Sequence, residues 1–436
     1  MQRYEKYKDS GIDWLGEIPV NWGIEKGKWL FIKNDRPVLK DYDVITCFRD
    51  GEVTLRKNRR EDGFTNSLKE IGYQGVLKGD LVIHQMDAFA GAIGVSDSDG
   101  KSTPVYSVCS SRVSDISNYF YAYYLRSMAL AGVISSLAKG IRERSTDFRF
   151  NDFSNLLYPL PPISEQKAIA KFLDDKCEKI DAAVNLKEQQ IEKLKELRQI
   201  TIHNAVTKGI PHFKGEVTPK KDSGIDWVGE VPEHWEVRRL ASLGFFSKGG
   251  GFSKADLVEE DGVSAILYGD IYTKYNYKIL SPIRLISREA SSRAVKLEHN
   301  DLLFTGSGEL KEDIGKCVAF KSRLTTFAGG DVIIFKQQKN SSEYLSFCMN
   351  TNGAKYEKAK SSKGEIIVHT YASKLREIYV PIPPYHEQKE IVAYLEEQTS
   401  KINKAIAQKQ EQIVKLKEYK QSLINEVVTG KLKVVD

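Results

Sequence analysis

The 436-residue sequence lacks most of what would mark a self-contained enzyme. No GxxxxGK[ST] loop is present, so no P-loop nucleotide site is indicated. Lys248-Gly-Gly-Gly-Phe252 is glycine-rich, yet the lysine and helix pattern that should follow it are missing, and it reads as a turn. The seven histidines form neither an HxH nor an HxxxH pair. Five cysteines (Cys47, Cys109, Cys177, Cys317, Cys348) are widely spaced without a CxxC, which excludes a disulfide framework and fits a reducing cytoplasm. The N-terminus has no signal-peptide pattern, and no apolar run approaches the length of a membrane span. Charge is also weakly biased, with 65 basic and 59 acidic residues for a net +6, which permits a polyanionic partner without demanding one.

Two stretches of about 40 residues lack proline and glycine, and both follow one motif. Pro159-Leu-Pro-Pro-Ile-Ser-Glu-Gln-Lys167 recurs as Pro381-Ile-Pro-Pro-Tyr-His-Glu-Gln-Lys389, an offset of 222 (381 − 159). The apolar positions Ile169, Leu173, Ile180, Val184, Ile191, Leu194 and Leu197 return at Ile391, Leu395, Ile402, Ile406, Ile413, Leu416 and Tyr419. Steps of three, four and seven are the period of one helical stripe. Ser164 stands at an N-cap position, with Glu165 in the first turn. Both helices close on a glycine signal, Val206-Thr-Lys-Gly209 and Val428-Thr-Gly430. A helix over 164–207 is roughly 65 Å long at about 1.5 Å per residue. That is too long to bury alone, so the two pair in a coiled coil through Ile180, Val184, Ile191 and Leu194 against Ile402, Ile406, Ile413 and Leu416.

A second repeat confirms a duplication. Lys8-Asp-Ser-Gly-Ile-Asp-Trp14 reappears as Lys221-Asp-Ser-Gly-Ile-Asp-Trp227, and Trp22 matches Trp235. Seven identities in a row do not arise by drift in a random chain. The segments between motif and helix diverge, keeping landmarks such as Gly79-Asp-Leu against Asn300-Asp-Leu. Short β-type runs fill them (Asp43–Phe48, Leu81–Ile83, Val105–Val108, Ile266–Tyr268, Val332–Phe335), with helices expected at Tyr119–Leu137 and Glu343–Lys360. The expected fold class is α+β: two strand-rich α+β domains separated by two long helices in an antiparallel coiled coil, with a pseudo-two-fold internal repeat. The segments are 1–158 (motif plus first variable domain), 159–207 (long helix), 208–232 (linker and repeated motif), 233–380 (second variable domain) and 381–436 (long helix). If the 208–232 linker is compact, the helices are antiparallel and the two domains lie at opposite ends of a rod; stretched to roughly 80 Å, at about 3.3 Å per residue, the linker also reaches a parallel pair.

Catalytic motifs appear only as imitations. The Pro383-Pro384-Tyr385 run lacks the Asp or Asn that an amino-methyltransferase loop needs, since Ile382 and Leu160 occupy that place. Asp301 with Glu309-Leu-Lys311 imitates a metal-dependent nuclease, but the first half keeps only Asp80. What remains is binding. In the first domain the basic candidates are Arg56, Lys57, Arg59 and Arg60, then Lys139, Arg142 and Arg144. In the second they are Lys254, Lys311, Lys360 and Lys363, with Lys316, Lys355 and Lys358 nearby. Asn58, Gln74 and Gln85 join them because carboxamides fit adenine bidentately. The domains are nearly neutral (19 basic against 17 acidic residues in 20–158, 22 against 18 in 233–380), as suits proteins that read base edges and take part of their affinity from phosphates.

The double PxPPxxEQK motif with its long helix, and the repeated DSGIDWxGxxPxxW, together resemble the DNA-specificity subunit of a type I restriction–modification system. The resemblance covers essentially the whole chain. It implies that each variable domain is a target recognition domain reading one half of a bipartite double-stranded DNA site, with the helices as a ruler. It further implies two methyltransferase subunits that carry S-adenosylmethionine, two restriction subunits that use ATP and Mg²⁺, and no cofactor, metal or catalytic residue in this chain. Two other readings stay open on the residues alone: a coiled-coil adaptor that binds proteins, and a self-contained nuclease or methyltransferase.

Overall fold

In both repeats a strand runs into a pair of prolines and a long helix leaves them. Leu157–Leu160 pairs antiparallel with Gly23–Lys26, and Tyr379–Ile382 pairs in the same way with Glu236–Arg239. Proline has no N–H to extend a ladder, and its fixed φ suits the first helical turn. The computed structural model describes residues 2–59, 70–137, 147–210, 219–364 and 367–434. Its long helices are Ile163–Lys208 and Tyr385–Val428. The first opens one residue before Ser164, because the N–H groups of Glu165 and Gln166 both donate to the Pro162 carbonyl, at 2.9 and 3.0 Å. Pro162 therefore takes the role expected of Ser164. Gly209 and Gly430 follow the helices with φ of 83° and 73°, the left-handed conformation that ends a helix.

Two compact units divide the chain, and neither is continuous in sequence. One comprises Met1–Lys187 with Gln410–Asp436, the other Glu188–Lys409. In the first unit a four-stranded antiparallel sheet is built from β1 (Phe31–Lys33), β2 (Leu81–His84), β3 (Ile93–Val95) and β4 (Tyr106–Ser111), in the order β1-β4-β2-β3. Helix α1 (Asn118–Leu130) packs beside it, and the long helix Ile163–Lys208 is α2. In the second unit the strands are β5 (Phe245–Lys248), β6 (Lys278–Ile279), β7 (Leu302–Thr305), β8 (Cys317–Phe320) and β9 (Val332–Lys336), in the order β5-β9-β7-β8-β6. A further five-stranded sheet includes Val263–Ile266 and Thr326–Ala328. Helix α3 (Ser342–Met349) corresponds to α1, and Tyr385–Val428 is α4.

The helices expected at Tyr119–Leu137 and Glu343–Lys360 are each broken in two. Gly132, with φ of 82°, separates α1 from a short turn at Val133–Ser136. Thr351 caps a new helix, Asn352–Lys360, by accepting from Ala354 N at 3.3 Å. The strand expected at Ile266–Tyr268 lies earlier, at Val263–Ile266, and Tyr268 opens a short helix.

In each unit the two long helices run antiparallel. Lys187 donates to Gln412 at 2.7 Å and Lys420 to Asp181 at 2.6 Å in the first unit. Lys409 donates to Gln190 at 2.6 Å and Arg198 to Asn403 at 2.7 Å in the second. Such contacts at or near the surface set register more than they add stability. The apolar seam supplies the stability: Ile180, Val184, Ile191, Ile402, Ile406 and Ile413 are buried, and Leu194 and Leu416 are half-buried. Leu197 and Tyr419, the last positions of the repeated stripe, are instead exposed by half. A seven-residue repeat drifts by about 20° per heptad around a straight helix, so a stripe does not hold one face along its whole length.

Each unit's core takes in the end of the long helix that begins in the other. Leu423, Ile424, Val427 and Val428 of α4 pack with Trp22, Phe120 and Tyr121 in the first unit. Ile202, Ala205 and Val206 of α2 pack with Trp235, Tyr344 and Leu345 in the second. Trp22 and Trp235 are fully buried, and a Cβ on Gly430 would collide with Pro19 beside Trp22.

The glutamine of the repeated motif acts as a clamp. Gln166 accepts from Ser117 N at 2.8 Å and donates to the carbonyls of Asp115 and Pro161 at 3.0 and 2.8 Å. Gln388 accepts from Ser341 N at 2.8 Å and donates to Pro383 O and Asn340 Oδ1 at 2.9 and 3.0 Å. Ser117 and Ser341 are the N-caps of α1 and α3, so the clamp ties each domain helix to the start of its long helix. The motif's glutamate binds the repeated tryptophan region: Glu165 takes Tyr4 and Asn21, and Glu387 takes His234 at 2.7 Å and Trp235 at 2.9 Å.

The repeated aspartate is a turn lock. Asp80 accepts from Leu77 N and Asp301 from Glu298 N, both at 2.8 Å. Asp301 is 3% exposed, and burial pushes its carboxyl up to about 6 from an ordinary 3.8.

Two outcomes follow from these groups. Gln388→Ala orphans several buried polar groups, and urea denaturation should show a loss of about 1–3 kcal/mol; an unchanged midpoint would remove the clamp's importance. A carboxyl whose folded pKa is raised contributes stability below its unfolded value and loses it as pH rises through the folded one. Asp301→Asn keeps an acceptor for Glu298 N without ionising. It should therefore be more stable than the parent by ~3 kcal/mol at pH 7.5 and nearly equal to it near pH 4, at about 1.4 kcal/mol per unit of pKa. Parallel denaturation curves at the two pH values check this.

Candidate nucleic-acid interface

In the first unit a β-hairpin, Ile45–Cys47 against Val53–Leu55, runs into a tight turn at Arg56–Asn58. The turn is basic, but its charges are largely matched by nearby acids. Lys57 pairs with Asp43 at 2.5 Å. Arg59 forks onto Asp50, reaches Glu52 at 3.1 Å and lies 4.3 Å from the centre of the Phe48 ring. Arg56 donates to Thr46 Oγ1 at 3.2 Å, and Asn58 to Thr54 Oγ1 at 2.9 Å. These bonds hold the basic side chains in fixed poses. Arg60, Lys139, Arg142 and Arg144 fall outside the described residues.

Gln85 follows β2, where its side chain donates to Ser107 Oγ at 3.2 Å. Gln74 does not reach the surface: it is 5% exposed and its amide donates to Tyr106 O at 2.7 Å, inside the domain. It is a core residue because β-pairing of Gln74–Val76 with Gly100–Ser102 turns it toward the chain's own carbonyls. Sequence reasoning also missed Arg49, exposed and paired with Asp87 at 2.8 Å near the end of β2. Arg126, on α1, lies under the Asp50-Gly51 turn, where a Cβ on Gly51 would strike its guanidinium. No local signal singles out Arg126, since its position depends on how α1 docks.

The second unit arranges its cations differently. Lys254, Lys311, Lys360 and Lys363 are exposed, and none has an acidic partner among the described residues. Lys254 lies on a cleft of about 630 Å³ with Tyr268, Arg284 and the Gly329-Gly330 turn. Lys311 stands on a short turn held to the Asn352–Lys360 helix by Lys355, which pairs with Asp313 at 2.9 Å. Lys363 exchanges backbone hydrogen bonds with His369, closing a loop.

Two lysines of the same sequence cluster face inward. Lys358 is fully buried, donates to the carbonyls of Gly315 and Met349 at 2.6 and 2.7 Å, and is lowered by burial to about 7. Lys316 donates to Tyr272 O and Tyr275 O at 3.0 and 2.6 Å, with burial lowering it to about 8. Both hold the loop that presents Lys311 and do not belong to its exposed face. Helical phase is the sequence signal that separates them: on Asn352–Lys360, Lys358 shares a face with the buried Ala354, four residues away.

Asp301, the acid of the nuclease-like pattern, is the buried turn lock described above. Among the described residues no group of three or more His, Cys, Asp or Glu side chains could hold a metal ion. The cysteines are free and buried, and among the described residues no helix is long and apolar enough to cross a membrane. The arrangement is that of two basic surfaces of unlike chemistry on one repeated frame.

Comparison with known proteins gives this frame a family. The chain matches the model described as "Type I restriction modification DNA specificity domain" over residues 52–196 and 232–415. It is 26% identical over 292 residues to the type I restriction enzyme MjaVIII specificity subunit of Methanocaldococcus jannaschii, covering 65% of this chain and 63% of that one. A second specificity-subunit relative in that organism, MjaX, is 24% identical over 96% of each chain. The EcoKI specificity subunit of Escherichia coli is 26% identical over 66% of this chain and 61% of its own length. The chain thus spans just under two thirds of MjaVIII and EcoKI. Among solved structures, one described by the complex assembly and conformational transition of the type I R-M system shares the fold at a TM-score of 0.69 and 15% identity, covering 95% of this chain and 99% of that one. The HsdS subunit from Thermoanaerobacter tengcongensis does so at 0.54 and 16%, covering 95% and 98%. With both repeats matched over more than half of the sequence, the chain belongs to the type I restriction–modification DNA specificity family.

Proposed function

We propose that this chain is the sequence-reading subunit of a cytoplasmic type I restriction–modification enzyme, non-catalytic in itself. Each unit reads one half of a bipartite double-stranded DNA site, and the paired helices set the spacing between halves. Two methyltransferase subunits, carrying S-adenosylmethionine, dock on the repeated scaffold, and two restriction subunits bring the ATP- and Mg²⁺-dependent work. The observation that carries this reading is a duplication in which the scaffold is kept and the binding surface is not. Gln166 and Gln388 make the same clamp, while the basic residues of the two domains occupy different loops. A protein adaptor would have no need for two unlike surfaces rich in lysine and arginine.

In this reading the first half-site is met by Arg56, Lys57, Asn58, Arg59, Arg60, Gln85, Lys139, Arg142 and Arg144, and the second by Lys254, Lys311, Lys360 and Lys363. The unpaired lysines of the second unit meet phosphates, and the fixed Arg59 and Asn58 suit base edges.

Inserting four residues in register into one long helix adds about 6 Å and should enlarge the nonspecific spacer of the methylated motif. An unaltered spacer, read by modified-base sequencing, would end the ruler idea. Exchanging residues 20–158 for another domain should change one half of the motif only, and a change in both halves would contradict the division of labour. Alanine at Lys254, Lys311, Lys360 and Lys363 should weaken binding to all sequences alike. The slope of log K against log salt should flatten by about 0.9 for each phosphate no longer neutralised. Titrations at several salt concentrations, on the complex with its methyltransferase partner, measure this.

A further inference from the structure

The first unit's Gln85 has its counterpart in the second unit at Gly306, the position given by the offset of Asp80 from Asp301, and the folded chain adds the partner strand that the offset misses. Gln85 N donates to Val105 O at 3.0 Å, and Gln85 O accepts from Phe148 N at 3.0 Å. In the second unit Gly306 N donates to Asp331 O at 2.7 Å, and Gly306 O accepts from Thr370 N at 3.0 Å. The backbone frame is therefore the same, with Gly306 standing for Gln85 and Asp331 for Val105. Glycine at 306 removes a side chain from the end of the sheet. The space forms a cavity of about 440 Å³ walled by Ser247, Lys248, Asp331, His369, Thr370 and Tyr371. Asp331 also lines the neighbouring cleft that carries Lys254, so it stands between the two.

Two hydroxyls on the wall of this cavity lack partners. Thr370 is 2% exposed and its Oγ1 makes no hydrogen bond. Ser247 Oγ, on the same wall, is likewise buried and unpartnered. A buried hydroxyl is nearly always satisfied in a folded protein, so two on one wall leave bonding capacity that a ligand can complete. His369, on the cavity wall, is engaged at Nδ1 by Ser307 Oγ at 2.9 Å. Asp331 is exposed, and its carboxylate meets no cation among the described residues although Lys248 and Lys254 line the same clefts. A carboxylate repels phosphate, so Asp331 does not serve a backbone contact. Its complement is a hydrogen-bond donor, and on the base edges of the major groove the donors are the exocyclic amines of cytosine N4 and adenine N6.

We propose that the cavity between Ser247, Asp331 and Thr370 reads one base of the second half-site, with Asp331 accepting from the exocyclic amine of cytosine or adenine. Thr370 and Ser247 complete the hydrogen bonding of the inserted base edge, and Lys248 and Lys254 flank it at the phosphates. The proposal rests on the DNA-reading function above. It also explains why the same frame holds Val105 in the first unit: an apolar group there cannot accept from an amine, so the two units do not read the same base at this point.

The test uses the full chain assembled with its methyltransferase subunits, as wild type, Asp331→Ala and Thr370→Val. Methylated motifs are mapped by modified-base sequencing, and melting temperatures are recorded for each assembly. With Asp331→Ala, which removes the acceptor, the first half of the motif should stay as it was. One amine-bearing position of the second half should lose discrimination by roughly 5- to 150-fold, the range expected for one good base contact. Whether that position holds cytosine or adenine in the wild-type motif identifies the amine. Thr370→Val should relax the same position, and it decides the matter alone if Asp331→Ala fails to assemble. Retention of the wild-type motif and selectivity by folded variants overturns the proposal while leaving the DNA-reading function intact. A wild-type assembly that binds no duplex overturns both.

Discussion

The structure depends on where the long helices begin and end. Each starts at a proline pair tied into one core by a buried glutamine and finishes in the core of the other unit. Trp22 and Trp235 receive those ends. A helix of this length has too narrow an apolar stripe to be stable alone, and most helical stability in proteins comes from packing. Seating both ends in aromatic cores and zipping the middle along Ile180–Ile191 and Ile402–Ile413 provides that packing throughout. The repeated residues are therefore the ones at the anchors: Gln166 and Gln388, Glu165 and Glu387, Trp22 and Trp235.

Anchoring leaves the variable segments free to change. Each is an insertion between two paired strands, Gly23–Lys26 with Leu157–Leu160 and Glu236–Arg239 with Tyr379–Ile382. Since those strands hold the ends of the insertion together, what lies between can diverge without moving the helix start. The two halves have used that freedom in opposite ways. The first unit braces its basic turn with Asp43, Asp50 and Glu52, whereas the second exposes unpaired lysines and clears space at Gly306. A DNA-reading protein can build specificity from either, because phosphate contacts position the domain while base edges distinguish sequences.

The inward-facing lysines show why charge counting overstates a surface. Lys316 and Lys358 add to the basic tally of the second domain, yet their ammonium groups hold backbone carbonyls in place and burial lowers both. The same holds for Gln74, whose carboxamide serves a neighbouring strand. In each case a long polar side chain holds a loop or strand in place from the inside. Sequence ranks such residues with their exposed neighbours because composition has no inside or outside.

The duplication, the helix pair and its antiparallel sense were legible in the sequence, since each rests on periodicity and repeated words that local chemistry reads directly. So was the location of the turn-forming Asp80 and Asp301, though not their buried role. The broken helices at Gly132 and Thr351, the exposure of Leu197 and Tyr419, and the equivalence of Val105 with Asp331 came only from the folded chain. Those features depend on which strand pairs with which and on how far a helical face rotates before it meets its partner. Both are long-range geometric outcomes, and residues far apart in sequence set them together.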